Sequence, residues 1–251
     1  MKRHLTITAA ALAIALALPS AHADETTADS KRFTAERVFD IEYATDPQIS
    51  PDAKSILYVR HSMDKMKDRD TGHLWAINTE TGTQRPLLGA EGSAGAPRWS
   101  PDGSRVLYTS TAKGKPELKV VYMDTGLSHA LAQLPKSPSG ATWSPDGRHI
   151  AFSMFVPGEK PGFATPPKAP EGAEWSDPVK VIDDLTFRFD GQGYLEDGAT
   201  HVFVLPAEGG TPRQVTQGDA DLSGPAWLDN DTLLVSGNQA EDRDMDPVES
   251  E

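Results

Sequence analysis

Ile49-Ser50-Pro51-Asp52, Trp99-Ser100-Pro101-Asp102-Gly103 and Trp143-Ser144-Pro145-Asp146-Gly147 are three copies of one motif, and each runs into a short strand-forming segment. The segments are Ile56-Leu57-Tyr58-Val59, Val106-Leu107-Tyr108-Thr109 and Ile150-Ala151-Phe152-Ser153. A degenerate fourth copy, Trp227-Leu228-Asp229-Asn230-Asp231, precedes Leu233-Leu234-Val235. Proline fixes φ and Asp-Gly supplies a tight turn, so each motif is expected to join two antiparallel strands. The motif serines lie 50 and 44 residues apart, and Trp143 and Trp227 lie 84 apart. A repeat at this spacing means that one supersecondary unit has been stacked several times.

The rest of each unit has the same order. His73-Leu74-Trp75-Ala76-Ile77 reads as a third strand, and Glu80-Thr81-Gly82 turns the chain into Gln84-Arg85-Pro86-Leu87. Leu118-Lys119-Val120-Val121-Tyr122 with Asp124-Thr125-Gly126, and His201-Val202-Phe203-Val204-Leu205 with Glu208-Gly209-Gly210, repeat that plan. Units of ~40–50 residues with four strands each are propeller blades. The fold class is therefore all-β: a β-propeller of four-stranded antiparallel blades, with about three and a half blades and an incomplete ring. A generic β-sandwich is the competing fold, but sandwiches do not impose a motif at fixed intervals. Closure of four short blades into a small ring is disfavoured, because the fourth has only its first two strands. Blades are expected over about 46–90, 91–137, 138–218 and, incompletely, 219–251.

The N-terminus carries Lys2 and Arg3, an apolar stretch from Ile7 to Leu18, and Ala21-His22-Ala23 before Asp24. This is the pattern of a secretory signal peptide over 1–23, cleaved after Ala23, and the apolar core is too short for a spanning helix. The chain has no cysteine, which removes a lipoprotein anchor and disulfides. A periplasmic or secreted location follows, with no membrane insertion of the mature chain. Cleavage takes the formal charge from −13 to −15, an acidic balance that argues against nucleic acid and anionic membrane surfaces as partners. Residues 24–45 read as a polar segment with a short helix through Val38-Phe39, capped by Thr34.

The third unit carries an insertion over 157–198, rich in proline and glycine but also holding Trp175, Phe187, Phe189 and Tyr194. A loop of this length in a compact domain is functional or disordered. Its aromatics favour packing against the blade over a stacking platform for a ligand.

Val179-Lys180-Val181-Ile182-Asp183 and Phe187-Arg188-Phe189-Asp190-Gly191-Gln192-Gly193-Tyr194 resemble the blade insertion of prolyl oligopeptidase-family serine peptidases, in the branch of acylaminoacyl-peptidases and bacterial dipeptidyl aminopeptidases. Gly209-Gly210-Thr211-Pro212-Arg213-Gln214-Val215-Thr216 and Glu241-Asp242-Arg243-Asp244-Met245-Asp246-Pro247 are similar to the same branch. The resemblance runs from about Phe33 to the C-terminus. It implies a seven- or eight-bladed propeller capping a C-terminal α/β-hydrolase domain, so that peptides rather than folded proteins reach a Ser-Asp-His triad. The chain ends at Glu251, mid-blade, and is expected to be the N-terminal gating portion, catalytically inert alone. Peptide substrates are then partners only through the hydrolase domain. The Ser-Pro-Asp-Gly repeats are shared with periplasmic TolB-like propellers, which leaves a non-enzymatic propeller binding protein or peptide as the alternative.

No catalytic residue is assigned from the sequence. Gly-x-Ser-x-Gly is absent. Its nearest approach, Gly126-Leu127-Ser128-His129-Ala130, lacks the second glycine and sits in an expected turn. Ser100 and Ser144 belong to the repeat, which turn geometry explains. His61, His73, His129, His149 and His201 lack the spacing of a zinc site, and His73 and His201 occupy equivalent positions in two blades. Asp242, Asp244 and Asp246 alternate, but Pro247 stands where a calcium loop needs glycine, so a solvated acidic loop is the reading. No metal or cofactor is expected, and no substrate-binding residue is assigned.

Overall fold

The structure is a computed structural model, and it describes residues 33–89, 92–111, 114–158, 167–176, 181–182 and 184–245. The expected signal peptide, Val179, Lys180, Asp183, Asp246 and Pro247 lie outside these residues. The chain divides into two units, Met1–Val38 and Phe39–Glu251. In the first, the Thr34 carbonyl accepts the Arg37 amide at 3.1 Å. Residues 35–40 form one 3₁₀ helix.

Among the described residues the second unit contains three four-stranded antiparallel sheets, two of them built by consecutive hairpins and the third interrupted by an insertion. Blade 1 is β1 (Glu42–Ile49), β2 (Ser55–Asp64), β3 (Arg69–Asn78) and β4 (Gln84–Pro86). Its first strand begins four residues before the boundary expected at 46. Blade 2 is β5 (Ala94–Trp99), β6 (Arg105–Ser110), β7 (Glu117–Tyr122) and β8 (Ser128–Gln133). Blade 3 interrupts its order: β9 (Ser139–Trp143) and β10 (His149–Pro157) are followed by a small hairpin, β11 (Arg188–Phe189) and β12 (Gly193–Tyr194). Then β13 (Gly198–Pro206) pairs with β10 along its whole length, and β14 (Arg213–Gln214) closes the sheet. The hairpin β15 (Ser223–Trp227) and β16 (Leu233–Ser236) begins the fourth repeat.

The core lies between blades, because alternating residues of a strand point to opposite faces of its sheet. Leu57, Val59, Leu74 and Ala76 of blade 1 pack on Val106, Tyr108 and Val121 of blade 2. The other face of blade 2, with Leu107, Leu118 and Val120, packs on Ile150, Phe152, Met154, Phe203 and Leu205 of blade 3. The middle strands of blade 2 thus bury apolar residues on both faces, which is why the Val106-Leu107-Tyr108 segment reads as a continuous hydrophobic run.

The repeated motif is more than a proline turn. Ser50, Ser100 and Ser144 are buried, and each hydroxyl donates to the aspartate two residues on, at 2.6 Å in all three. The same oxygen accepts the amide of the first residue of the following strand at 2.9 Å. The aspartate in turn accepts the amide two residues further, at 3.1, 3.1 and 3.0 Å. The buried hydroxyl therefore satisfies the strand amide and is itself satisfied by an aspartate at the surface, which accounts for serine where a hairpin turn alone would accept many residues. The fourth copy closes with Asp229, which accepts the Asp231 and Thr232 amides at 2.8 and 2.7 Å.

Gly103 and Gly147 adopt φ of 71° and 68°, and Ala53 holds the same place in the first copy at φ 59°. A non-glycine residue in the left-handed region costs ~1–2 kcal/mol, partly offset by the extra freedom glycine has in the unfolded chain. Ala53→Gly is expected to raise stability by about 0.5–1 kcal/mol, read as a higher urea midpoint at unchanged slope. No gain in midpoint would mean that the first turn is not strained.

Candidate functional site

The strands β1, β5, β9 and β15 lie at the edge of their sheets. In each, the residue four places before the motif serine, or before Leu228, has positive φ: Asp46 (49°), Ala96 (51°), Gly140 (59°) and Gly224 (62°). The pairing register breaks at the same point in all four, three residues on the edge strand spanning two on its neighbour. These are β-bulges, which bend a strand and re-aim its side chains. Pro47, Pro97 and Pro225 follow three of them, in keeping with the confinement of proline to edge strands and bulges.

The indoles of the next repeat fasten to these edges. Trp99 Nε1 donates to the Gln48 carbonyl at 3.2 Å, and Trp143 Nε1 to the Arg98 carbonyl at 3.1 Å. Gln48 and Arg98 are both two residues before their motif serine. Trp227 Nε1 is buried with no partner among the described residues. At the first bulge, Asp46 Oδ2 accepts Arg98 Nη1 at 2.7 Å and Oδ1 accepts Gln48 Nε2 at 2.7 Å, joining blades 1 and 2.

Between the open ends of blades 1 and 2 is a cleft of about 330 Å³, bordered by Thr45, Asp46, His61, Asp70, Ser93 and Thr111. On its blade 1 side three groups form a chain. Thr45 Oγ1 is 2.8 Å from His61 Nε2, and His61 Nδ1 is 2.6 Å from Asp70 Oδ2. Asp70 as a carboxylate only accepts, so Nδ1 carries the proton. In the neutral ring Nε2 is then the acceptor, and the Thr45 hydroxyl is the donor. The Tyr43 ring stacks on the imidazole at 4.5 Å and 4°, and its hydroxyl donates to Asp70 Oδ2 at 3.3 Å. Desolvation, and then the adjacent carboxylate, raise the Tyr43 phenol above its ordinary value, which keeps it a donor. Thr45 is exposed, whereas the His61 and Asp70 side chains are 19% and 37% accessible.

Of the residues weighed from sequence, His61 is in this cluster, and Ser128, His129, His73 and His201 lie elsewhere. Ser128 bonds Tyr108 through its hydroxyl at 2.5 Å, and His129 stacks on Tyr122 with ring centroids 5.4 Å apart. His73 pairs with Arg60 and His201 with Met154, the same register position in two blades, and His201 Nδ1 lies 3.3 Å from Thr216 Oγ1. The insertion corrects one expectation. Trp175, Phe187, Phe189 and Tyr194 are not packed against the blade but are 54, 42, 54 and 52% exposed. Phe187 and Tyr194 meet each other with ring centroids 6.3 Å apart, at the hairpin of the two-residue strands β11 and β12. The excursion is held at its base by Gly158 N–H to the Asp197 carbonyl at 2.8 Å and by Lys136 to Glu196 at 2.5 Å.

The family model of the TolB beta propeller domain matches residues 29–159, more than half of the sequence. The chain belongs to that family. This TolB-type propeller is 29% identical over 216 residues to a protein named uncharacterized peptidase YuxL from Bacillus subtilis (strain 168). The match takes in 85% of this chain and 32% of that protein. Among solved structures, an acylaminoacyl peptidase in complex with Z-Gly-Gly-Phe-chloromethyl ketone superposes with a TM-score of 0.59 at 18% identity, over 79% of this chain and 28% of that one. The Pyrococcus horikoshii acylaminoacyl peptidase gives 0.58 at 17%, with the same coverage. The TolB-type propeller therefore spans about a third of the length of these relatives, and its fold is that of their propellers.

Proposed function

We propose that this chain is the N-terminal part of the gating propeller of an exported serine peptidase of the prolyl oligopeptidase family. The observation that carries the reading is the likeness to a peptidase along 85% of this sequence but only 32% of the relative, which leaves room there for a separate catalytic domain. In this reading the parent protein is periplasmic or secreted, its substrates are peptides, and the nucleophilic serine belongs to an α/β-hydrolase domain outside these residues. The blades restrict entry, and the three Ser-Pro-Asp turns keep them rigid. The family match itself favours a second reading, a non-enzymatic TolB-like propeller that holds a protein or peptide partner in the cell envelope.

The native protein in its source cells distinguishes them. An antibody raised to blades 1–3 is expected to detect a species well above the 27.0 kDa of this sequence, labelled by a fluorophosphonate. A species at or below that mass, unlabelled, would sink the peptidase reading and leave the binding module.

A further inference from the structure

The Thr45–His61–Asp70 chain is the one cluster in the described residues where a hydroxyl, an imidazole and a carboxylate follow one another at hydrogen-bond distance on the wall of a cleft. The repeat provides its own comparison. The positions of Thr45 and His61, counted from the motif serine, are held by Gly95 and Thr111 in blade 2 and by Ser139 and Phe155 in blade 3. Blades 2 and 3 thus fold without the chain of groups, whereas the turn serines recur in each. Blade geometry accounts for the serines and does not call for the relay.

We propose that Thr45 is a nucleophilic hydroxyl, with His61 as its general base and Asp70 as the positioning residue, and that the cleft accepts small activated carboxylic esters. Each component meets a physical requirement. Thr45 is an exposed residue on the cleft wall, so an acyl carbon can approach it. The imidazole is half-buried, clamped by Tyr43 at 4.5 Å, and its tautomer is fixed by Asp70 so that the basic nitrogen faces the hydroxyl. The bulge that begins at Asp46 turns the strand immediately after Thr45. A volume of about 330 Å³ suits an acetyl or other short acyl group with its leaving alcohol.

In the reaction the Thr45 Oγ1–acyl bond forms as the bond from the acyl carbon to the departing oxygen breaks. The hydroxyl proton passes to His61 Nε2 and from there to the departing oxide. Water, deprotonated by the same nitrogen, then cleaves the threonyl ester, releasing the carboxylic acid and restoring the hydroxyl. No oxidant or metal is needed, and water is the only co-substrate. The proposal uses only residues of this chain and is independent of the peptidase reading, in which the reacting serine lies elsewhere.

The test treats the 251-residue protein with p-nitrophenyl acetate and maps the acetylated residues by peptide mass spectrometry. Acetylation at Thr45 is expected, falling ~10²-fold in His61→Gln, the usual contribution of a general base. Thr45→Ser is expected to keep the label at the same position, and Thr45→Val to lose it. Unmodified Thr45 in the native protein, or equal labelling in native and folded His61→Gln, overturns the proposal. Imidazole nitrogen shifts provide a reading that needs no variant: native His61 is expected as the Nδ1–H tautomer, and an Nε2–H ring overturns the relay. Asp70→Asn is expected to abolish that tautomer preference while leaving the thermal melt within the range of the other variants; an unchanged preference removes Asp70 from the positioning role.

Discussion

Trp143→Ala is expected to lower stability by about 3–5 kcal/mol, the range for truncating a buried aromatic side chain. Trp143 is buried in the core between blades 2 and 3, and its effect is larger than its area alone. The indole donates to the Arg98 carbonyl on the neighbouring edge strand, and the Arg105 guanidinium lies 4.9 Å from its ring centroid. Arg105 itself reaches the Gly147 carbonyl at 3.2 Å and Glu208 at 3.0 Å, so one cation ties blade 2 to two turns of blade 3 through the face of this ring. The Glu208 end is exposed and contributes little. The stacked and carbonyl-bound portion is shielded and is lost with the indole. Trp143→Phe separates the contributions: it keeps much of the packing and removes the N–H, so a cost of about 1–2 kcal/mol is expected. Denaturant titrations of both variants test this. If Phe costs as much as Ala, the hydrogen bond rather than the packing fastens the blades. If Ala costs less than 1 kcal/mol, the inter-blade core carries its weight elsewhere.

The same indole shows what the amino-acid sequence discloses and what it hides. The Trp-Ser-Pro-Asp-Gly repeat made the blades, their order and the insertion legible, because the period of a repeat survives whatever each position contributes. The tryptophan's role across the blade boundary was not legible, since the carbonyl it meets lies 45 residues away. The bulges were legible in principle: Pro47, Pro97 and Pro225 stand three residues before Ser50, Ser100 and Leu228, and a proline at a fixed offset in an edge strand marks a bulge. The Thr45–His61–Asp70 chain was not. Its members are 16 and 9 residues apart, and only the antiparallel register of β1, β2 and β3 brings them together. The insertion failed for another reason. Aromatic content says that a segment can bury surface but not against what, and here the side chains face outward.

Ser100→Ala is expected to destabilise by about 2–3 kcal/mol at neutral pH, and the loss is expected to shrink as the pH falls below the ordinary carboxylate range. The hydroxyl is fully buried, donates to Asp102 and accepts the Arg105 amide. Alanine fits the space but leaves that amide without its acceptor and takes one of the carboxylate's donors, the Ser104 donors remaining, and an unsatisfied buried group costs ~1–3 kcal/mol. The acid dependence follows from Asp102. Its hydrogen bond from Ser100, supported by those from Ser104, lowers its pKa from 3.8 to about 2. A carboxyl whose folded pKa is depressed contributes stability that is complete above the unfolded value and is lost as the pH falls through the folded one. The contribution of Asp102 is therefore present above about pH 4 and gone below about pH 2. Without Ser100 the carboxyl titrates closer to its ordinary value, so native and variant proteins converge across that window. Asp52 and Asp146 are shifted in the same direction, chiefly by Ser50 and Ser144, so Ser144→Ala is expected to show the same convergence. Urea titrations of the native, Ser100→Ala and Ser144→Ala proteins across the window decide it. A stability difference that does not change with pH would mean that the serine acts only through the strand amide, and that the aspartate's contribution to the turn is independent of it.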